Sequence, residues 1–223
     1  MHIEPGLVDP AKMIFAYATA AASGAYTVKL AWDAFKERGL ISLLARSAIT
    51  TALVFCFFEV LPHYPVGVSE VHLILGTTLL LVFGVAPAAI GLALGLLIQG
   101  VFFAPFDLPQ YFANVTTLLV PLFAIKLVAD RIIAPDTPYV DLKYRQALVL
   151  SITYQGGVVI WVGFWALYGQ GFGAENLTSI VTFGGAYMLV VLLEPLIDLG
   201  VLAAAKTVRG LAKTGLVTPR LYA

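Results

Sequence analysis

The chain has 223 residues, of which 60% are hydrophobic and 12% charged, with 13 basic residues balancing 13 acidic ones and a mean hydropathy of +0.92. Soluble domains carry about 25% charged residues, so a water-soluble globular fold is excluded. With zero net charge and no arginine-rich groove, a nucleic-acid partner is excluded as well. The expectation is an all-α polytopic bundle of about seven transmembrane helices in a lipid bilayer.

The chain opens Met1-His2-Ile3-Glu4-Pro5-Gly6. An amine followed at once by histidine offers one ion three nitrogens: the α-amine of Met1, and the amide and ring Nδ1 of His2. The resulting five- and six-membered chelate rings favour square-planar ions such as Ni(II) or Cu(II) over tetrahedral Zn(II). One corner stays open, and the only other histidines are His63 and His72. Residues 1–9 lack a basic stretch and a small-residue cleavage site, so retention of Met1 is expected.

A first span is expected over residues 10–32, since about 20 apolar residues cross the hydrocarbon core. Its small residues Ala16, Ala18, Ala20, Ala22 and Ala25 would let a partner helix, or another helix of the same chain, approach closely. Residues 33–38 form a charged connection, and a second span over 42–61 carries the single cysteine, Cys56, as buried filler. A turn-rich loop without lysine or arginine follows over 63–70.

The apolar stretch 71–104 would run about 51 Å as one helix, enough for two short crossings that turn back at residues 84–87. Gln99 lies near the far end of the second of these. A short loop over 105–112 leads into a fifth span, 113–129, which begins at Asn114; residues 130–145 are a charged connection. A sixth span over 146–168 contains a polar break at Tyr154-Gln155-Gly156-Gly157, and a seventh over 178–205 contains Glu194-Pro195. Residues 1–205 thus form one membrane domain with a metal-binding segment at 1–9, and 206–223 form a basic tail.

Placing that tail in the cytoplasm puts twelve of the 13 basic residues on the cytoplasmic side and leaves only Lys12 outside. The amino terminus and the 63–70 loop then share the outer face. His72, at the expected outer start of the third span, is the preferred fourth ligand, with His63 in reserve. Glu4, Glu70, Gln99 and Asn114 are outer-side groups suited to orienting the ligands. A metalloenzyme is disfavoured: there is no His-Glu-xx-His, and His63 and His72 are too far apart for that motif. The alternative is a membrane anchor or assembly subunit without its own ligand.

The Met1-His2-Ile3 start with Gly6, the Pro65-Val66-Gly67 to His72-Leu73-Ile74-Leu75-Gly76 segment, Gln99 and Asn114 resemble the cobalt/nickel substrate-capturing membrane subunit of energy-coupling-factor transporters. The resemblance implies metal ligands at Met1, His2 and His72, with Co(II) or Ni(II) as the transported substrate. It further implies a transmembrane coupling subunit, two cytoplasmic ATPases and a small accessory membrane subunit as partners, in a bacterial cytoplasmic membrane. The small-residue face of the first span would be the docking surface. No Gly-xxxx-Gly-Lys-Ser/Thr motif occurs, so this chain is expected to be no enzyme, with ATP hydrolysis left to partners.

Overall fold

In lipid, backbone polar groups must find partners within their own segment, which favours helix wherever the sequence is continuously apolar. The computed structural model describes residues 3–211. Among them are six α-helices: α1 (Met13–Phe55), α2 (Gly76–Phe83), α3 (Val85–Phe102), α4 (Tyr111–Ile132), α5 (Tyr144–Gln170) and α6 (Ala174–Leu211). Five helical segments are long and apolar enough to cross a membrane.

The first of these segments does the work of two. Its 43-residue helix carries one non-helical residue, Gly39, with φ 79°. Before Gly39, α1 lines a cavity with Ala20 beside Ala93, and Leu30 then clusters with Ala86. After Gly39, Leu43 clusters with Ala86, Thr50 meets Gly91 and Val54 meets Gly95. The two arms therefore run in opposite senses along α3, so the chain reverses at Gly39. Glycine adopts this left-handed backbone without the steric cost other residues incur. The close-packing role of Gly91 and Gly95 is equally direct, because a Cβ on either would overlap the second arm within 2.4 to 2.6 Å.

The expected third span is corrected. Instead of a helix beginning near residue 71, the chain forms a hairpin of β1 (Tyr64–Val66) and β2 (Ser69–Val71), passes through an irregular stretch, and becomes helical only at Gly76. The eight-residue α2 is too short to cross alone. Leu75 explains the late start: its φ of 54° is left-handed and blocks a helix from propagating back to His72.

Three smaller expectations also change. The Tyr154–Gly157 stretch is no break, because α5 runs unbroken through it, with Tyr154 and Gln155 wholly buried and Gly157 against Pro121. The 105–112 loop is mostly a 3₁₀ turn over Pro105–Gln110. Cys56 is exposed, in a π-helical turn over Cys56–Val60 whose widened register turns it outward and Phe58 inward.

One continuous core holds Trp165, Tyr154, Tyr187, Phe58 and Phe183 among its largest buried side chains. The outside is apolar too: Ile14, Val28, Ile41, Ile160, Val181, Leu189 and Leu196 are 65% to 85% exposed, on several different helices. Such a belt is costly in water and matched by acyl chains. The expected boundary at 205 falls inside α6. Lys206 Nζ donates to Val140 O at 2.7 Å and Arg209 pairs with Asp141 at 2.6 Å, so the start of the basic tail is helical and docked on the α4–α5 connection.

Candidate metal site

Met1 and His2, two of the three expected ligands, lie outside the described residues. Their neighbour Ile3 does not, and it is anchored in the interior. It is fully buried, bridges Ser69 as an isolated antiparallel pair, and donates its amide to Asn114 Oδ1 at 2.8 Å. The next residue, Glu4, donates its amide to Val68 O at 3.2 Å. Residues 3 and 4 thus lie alongside the β1–β2 hairpin, and residues 5–8 turn away from it.

The residues that follow hold it there. Leu7 and Val8 are buried, Gln110 donates to Val8 O at 3.4 Å, and Lys12 donates to Gly169 O at 2.7 Å. A Cβ on Gly169 would fall 2.0 Å from Leu7 O, so only glycine allows the segment to lie against the end of α5. Terminal segments usually fray, whereas this one is bonded or packed along most of its length.

His72 lies three residues beyond Ser69, in the irregular stretch, and is 2% exposed. Its ring centroid is 4.4 Å from that of Phe58, and Nδ1 is 3.3 Å from Leu73 O. In the tautomer with Nδ1–H donating to that carbonyl, Nε2 is the acceptor, which is the form a metal ligand requires. Gln99 is buried and donates to Phe58 O at 3.1 Å and to Glu59 Oε2 at 3.2 Å, which fixes the turn that carries the Phe58 ring.

The structure therefore brings Ile3, Ser69 and Asn114 together, with His72 three residues further along the chain from Ser69, packed on Phe58, whose carbonyl accepts from Gln99. His63 and Glu70 are half-buried on the hairpin and its approach; His63 Nδ1 faces Leu61 O at 3.2 Å, and Glu70 pairs with Pro65 across the strands. Glu4 is half-buried in the turn closed by Leu7 N–H donating to Glu4 O. Among the described residues no three His, Cys, Asp or Glu side chains form a metal-binding group. An ion held by His72 needs donors of another kind, such as an amino-terminal chelate.

Sequence reasoning missed a polar cluster that bonds the backbone two and three residues beyond His72. Glu194, wholly buried in α6, accepts the amides of Ile74 and Leu75 and the side-chain amide of Gln155. Gln155 in turn accepts the Tyr187 hydroxyl at 2.6 Å. One turn along α6, Asp198 accepts from the Thr78 hydroxyl at 2.5 Å. Two acids spaced i, i+4 in an apolar span were the available signal, because ionisable groups in a membrane helix face the bundle interior.

The expected docking alanines divide by helical phase. Ala16 is fully buried and Ala20 packs on the core, so these two serve packing within the chain. Ala18, Ala22 and Ala25, at i, i+4 and i+7, are exposed along one stripe.

A helical membrane bundle with its amino-terminal segment packed against a short hairpin is a fold that solved structures share. A transition metal transporter superposes with a TM-score of 0.61 at 20% identity, covering 93% of each chain. A truncated transition metal transporter gives 0.58 at 19% identity, covering 91% of this chain and 97% of the other. At these identities the likeness is one of fold. No curated protein sequence matches. The family itself follows from the sequence: the model of the CbiM family, the cobalt uptake substrate-specific transmembrane region, matches residues 2–211. The chain belongs to that family of transport proteins.

Proposed function

We propose that this chain is the ion-capturing subunit of an ATP-driven energy-coupling-factor importer, and that it binds Co(II) or Ni(II) at the outer face through the Met1 amine, the His2 amide and ring, and the His72 imidazole. The observation that carries this reading is the burial of Ile3 beside Ser69 and Asn114: residue 3 is fixed three positions along β2 from His72. Asn114 orients the amino-terminal chelate through the Ile3 amide. His63, Glu70, Glu4 and Gln99 serve the surrounding loops rather than the ion. An amide nitrogen gives up its proton only to a strongly binding ion, which favours Ni(II) over Co(II).

In this reading the chain crosses a bacterial cytoplasmic membrane seven times, amino terminus outside and basic tail inside. The arms of α1 make the first two crossings, and the irregular stretch with α2 makes the third. The stripe Ala18, Ala22, Ala25 docks on a transmembrane coupling subunit, two cytoplasmic ATPases drive the cycle, and a small accessory membrane subunit completes the complex. The test is equilibrium Ni(II) and Co(II) binding to protein that begins at Met1, beside protein with one residue added before Met1. Stoichiometric binding lost on extension supports the chelate; equal binding in both overturns it.

A further inference from the structure

The stretch from His72 to Leu75 belongs to neither the hairpin nor α2, so its amides need partners from elsewhere. Two of them, on Ile74 and Leu75, point at the Glu194 carboxylate, which reaches them from α6 across a sequence separation of 119 to 120 residues. Leu75 is also one of two non-glycine described residues with positive φ. A left-handed leucine is held only where its surroundings over-determine it.

The carboxylate meets that need with both oxygens: Oε1 takes the Ile74 amide, and Oε2 takes the Leu75 amide at 3.0 Å together with Gln155 Nε2. Gln155 is itself fixed by the Tyr187 hydroxyl, and all three side chains are fully buried. Three donors converge on one side chain, so a carboxylate fits where a neutral amide, with a single acceptor oxygen, leaves a donor without a partner. A buried ionisable side chain is retained only when it is well bonded.

Resting on the proposed role of His72 as a ligand, we infer that Glu194 is a positioning residue for ion capture: it clamps the Ile74 and Leu75 amides and so fixes the aim of the His72 imidazole. Gln155 and Tyr187 hold the clamp from behind. The site at the outer rim is thereby tied to α6, as the Asn114 contact ties residue 3 to α4.

The test measures Ni(II) affinity of the full chain beginning at Met1 for wild type, Glu194→Ala, Glu194→Gln and His72→Ala, and for the double variant His72→Ala/Glu194→Ala. Thr50→Val is added as a remote packing control: it breaks the bond from Thr50 to Pro87 O between α1 and α3. Expected are a loss of about 10- to 100-fold for Glu194→Ala, the range typical when a group that orients a metal ligand is removed, and a smaller loss for Glu194→Gln. Once His72 is absent, Glu194→Ala should change the residual affinity by less than about two-fold, because a residue acting through another shows full coupling to it. Amide exchange at Ile74 and Leu75 should accelerate in Glu194→Gln while the α3 amides stay protected.

An equal loss from Glu194→Ala with and without His72, or an equal loss in Thr50→Val, overturns the positioning role and leaves the capture site standing. Unchanged affinity in both Glu194 variants does the same. Wild-type protein that binds no Ni(II) or Co(II) overturns both. If Glu194→Ala does not fold, Glu194→Gln carries the affinity and exchange measurements alone.

Discussion

Gly39 and Leu75 both take the backbone out of regular structure, and they do so under opposite conditions. Gly39 reverses α1 at an exposed position, where nothing lies within 4 Å of the place its Cβ would occupy. Leu75 breaks the path into α2 where it is 7% exposed, next to a buried carboxylate and immediately before the packed Gly76. The first break uses the residue type that adopts positive φ at least cost; the second uses one that resists it. An irregular backbone on the surface of a bundle needs only permissive geometry. In the interior it also needs polar partners, and here a side chain from α6 supplies them. The cheap break shapes the fold, and the costly one lies three residues from His72, beside the site proposed above.

The sharpest way to break the costly side is at Gly76. A Cβ there would sit 2.3 to 2.8 Å from atoms of the Tyr154 ring, which is fully buried and has little room to yield. Gly76→Val should destabilise the chain by about 3 kcal/mol or more, as overpacking in a filled core does, and appear as loss of monodisperse protein on size exclusion in detergent. A variant that remains folded, with unchanged thermal unfolding, would show that the α2–α5 contact is loose.

The next effect is confined to ion binding. If His72 is the proposed fourth ligand, His72→Ala should lower Ni(II) affinity by about 100-fold or more, while leaving thermal stability of the ion-free protein within about 2 kcal/mol. His63→Ala, which faces Leu61 O on the approach to β1, should stay within about three-fold of wild type in the same titration. The reverse ranking would move the fourth ligand to His63.

Asn114→Ala comes third. It removes the acceptor of the buried Ile3 amide, a bond of 2.8 Å, and leaves that donor without a protein partner. A cost of about 1 to 3 kcal/mol follows for the unpaired group, felt mainly as weaker ion binding, because in the proposed site Ile3 is the residue next to the ligands Met1 and His2. Titration at matched protein concentration, with Asn114→Asp as the variant that keeps the acceptor, separates a lost bond from a lost shape.

How much of this was legible depends on which physics each feature uses. Apolar runs, the glycines at 91 and 95 and the charged connection at 33–38 are one-dimensional signals, and they located most of the helices and the turn between the arms of α1, which falls at Gly39; His72 and Asn114 stood out as candidates by residue type and position alone. The third span misled because residues 71–83 are as apolar as any helix; what holds 72–75 irregular is a carboxylate some 120 residues further on, and no local pattern encodes it. Ala16 and Ala18 look alike in sequence, yet helical phase buries one and exposes the other. Glu194 and Asp198 were visible as acids in an apolar span, a signal that names a buried site without naming its partners.

The smallest expected effect tests the cheap side. Gly39→Ala places a Cβ at φ 79°, a strained backbone for any L side chain, but in open space. The cost should be about 1 kcal/mol, the usual difference for a residue forced into left-handed geometry, read as a shift of a few degrees in thermal unfolding. Ni(II) affinity should stay within about two-fold of wild type, because neither arm of α1 has to move for the methyl group to fit. A larger loss of affinity than Asn114→Ala produces would mean that the reversal transmits strain to the outer rim, and the two breaks would then belong to one mechanical unit rather than two.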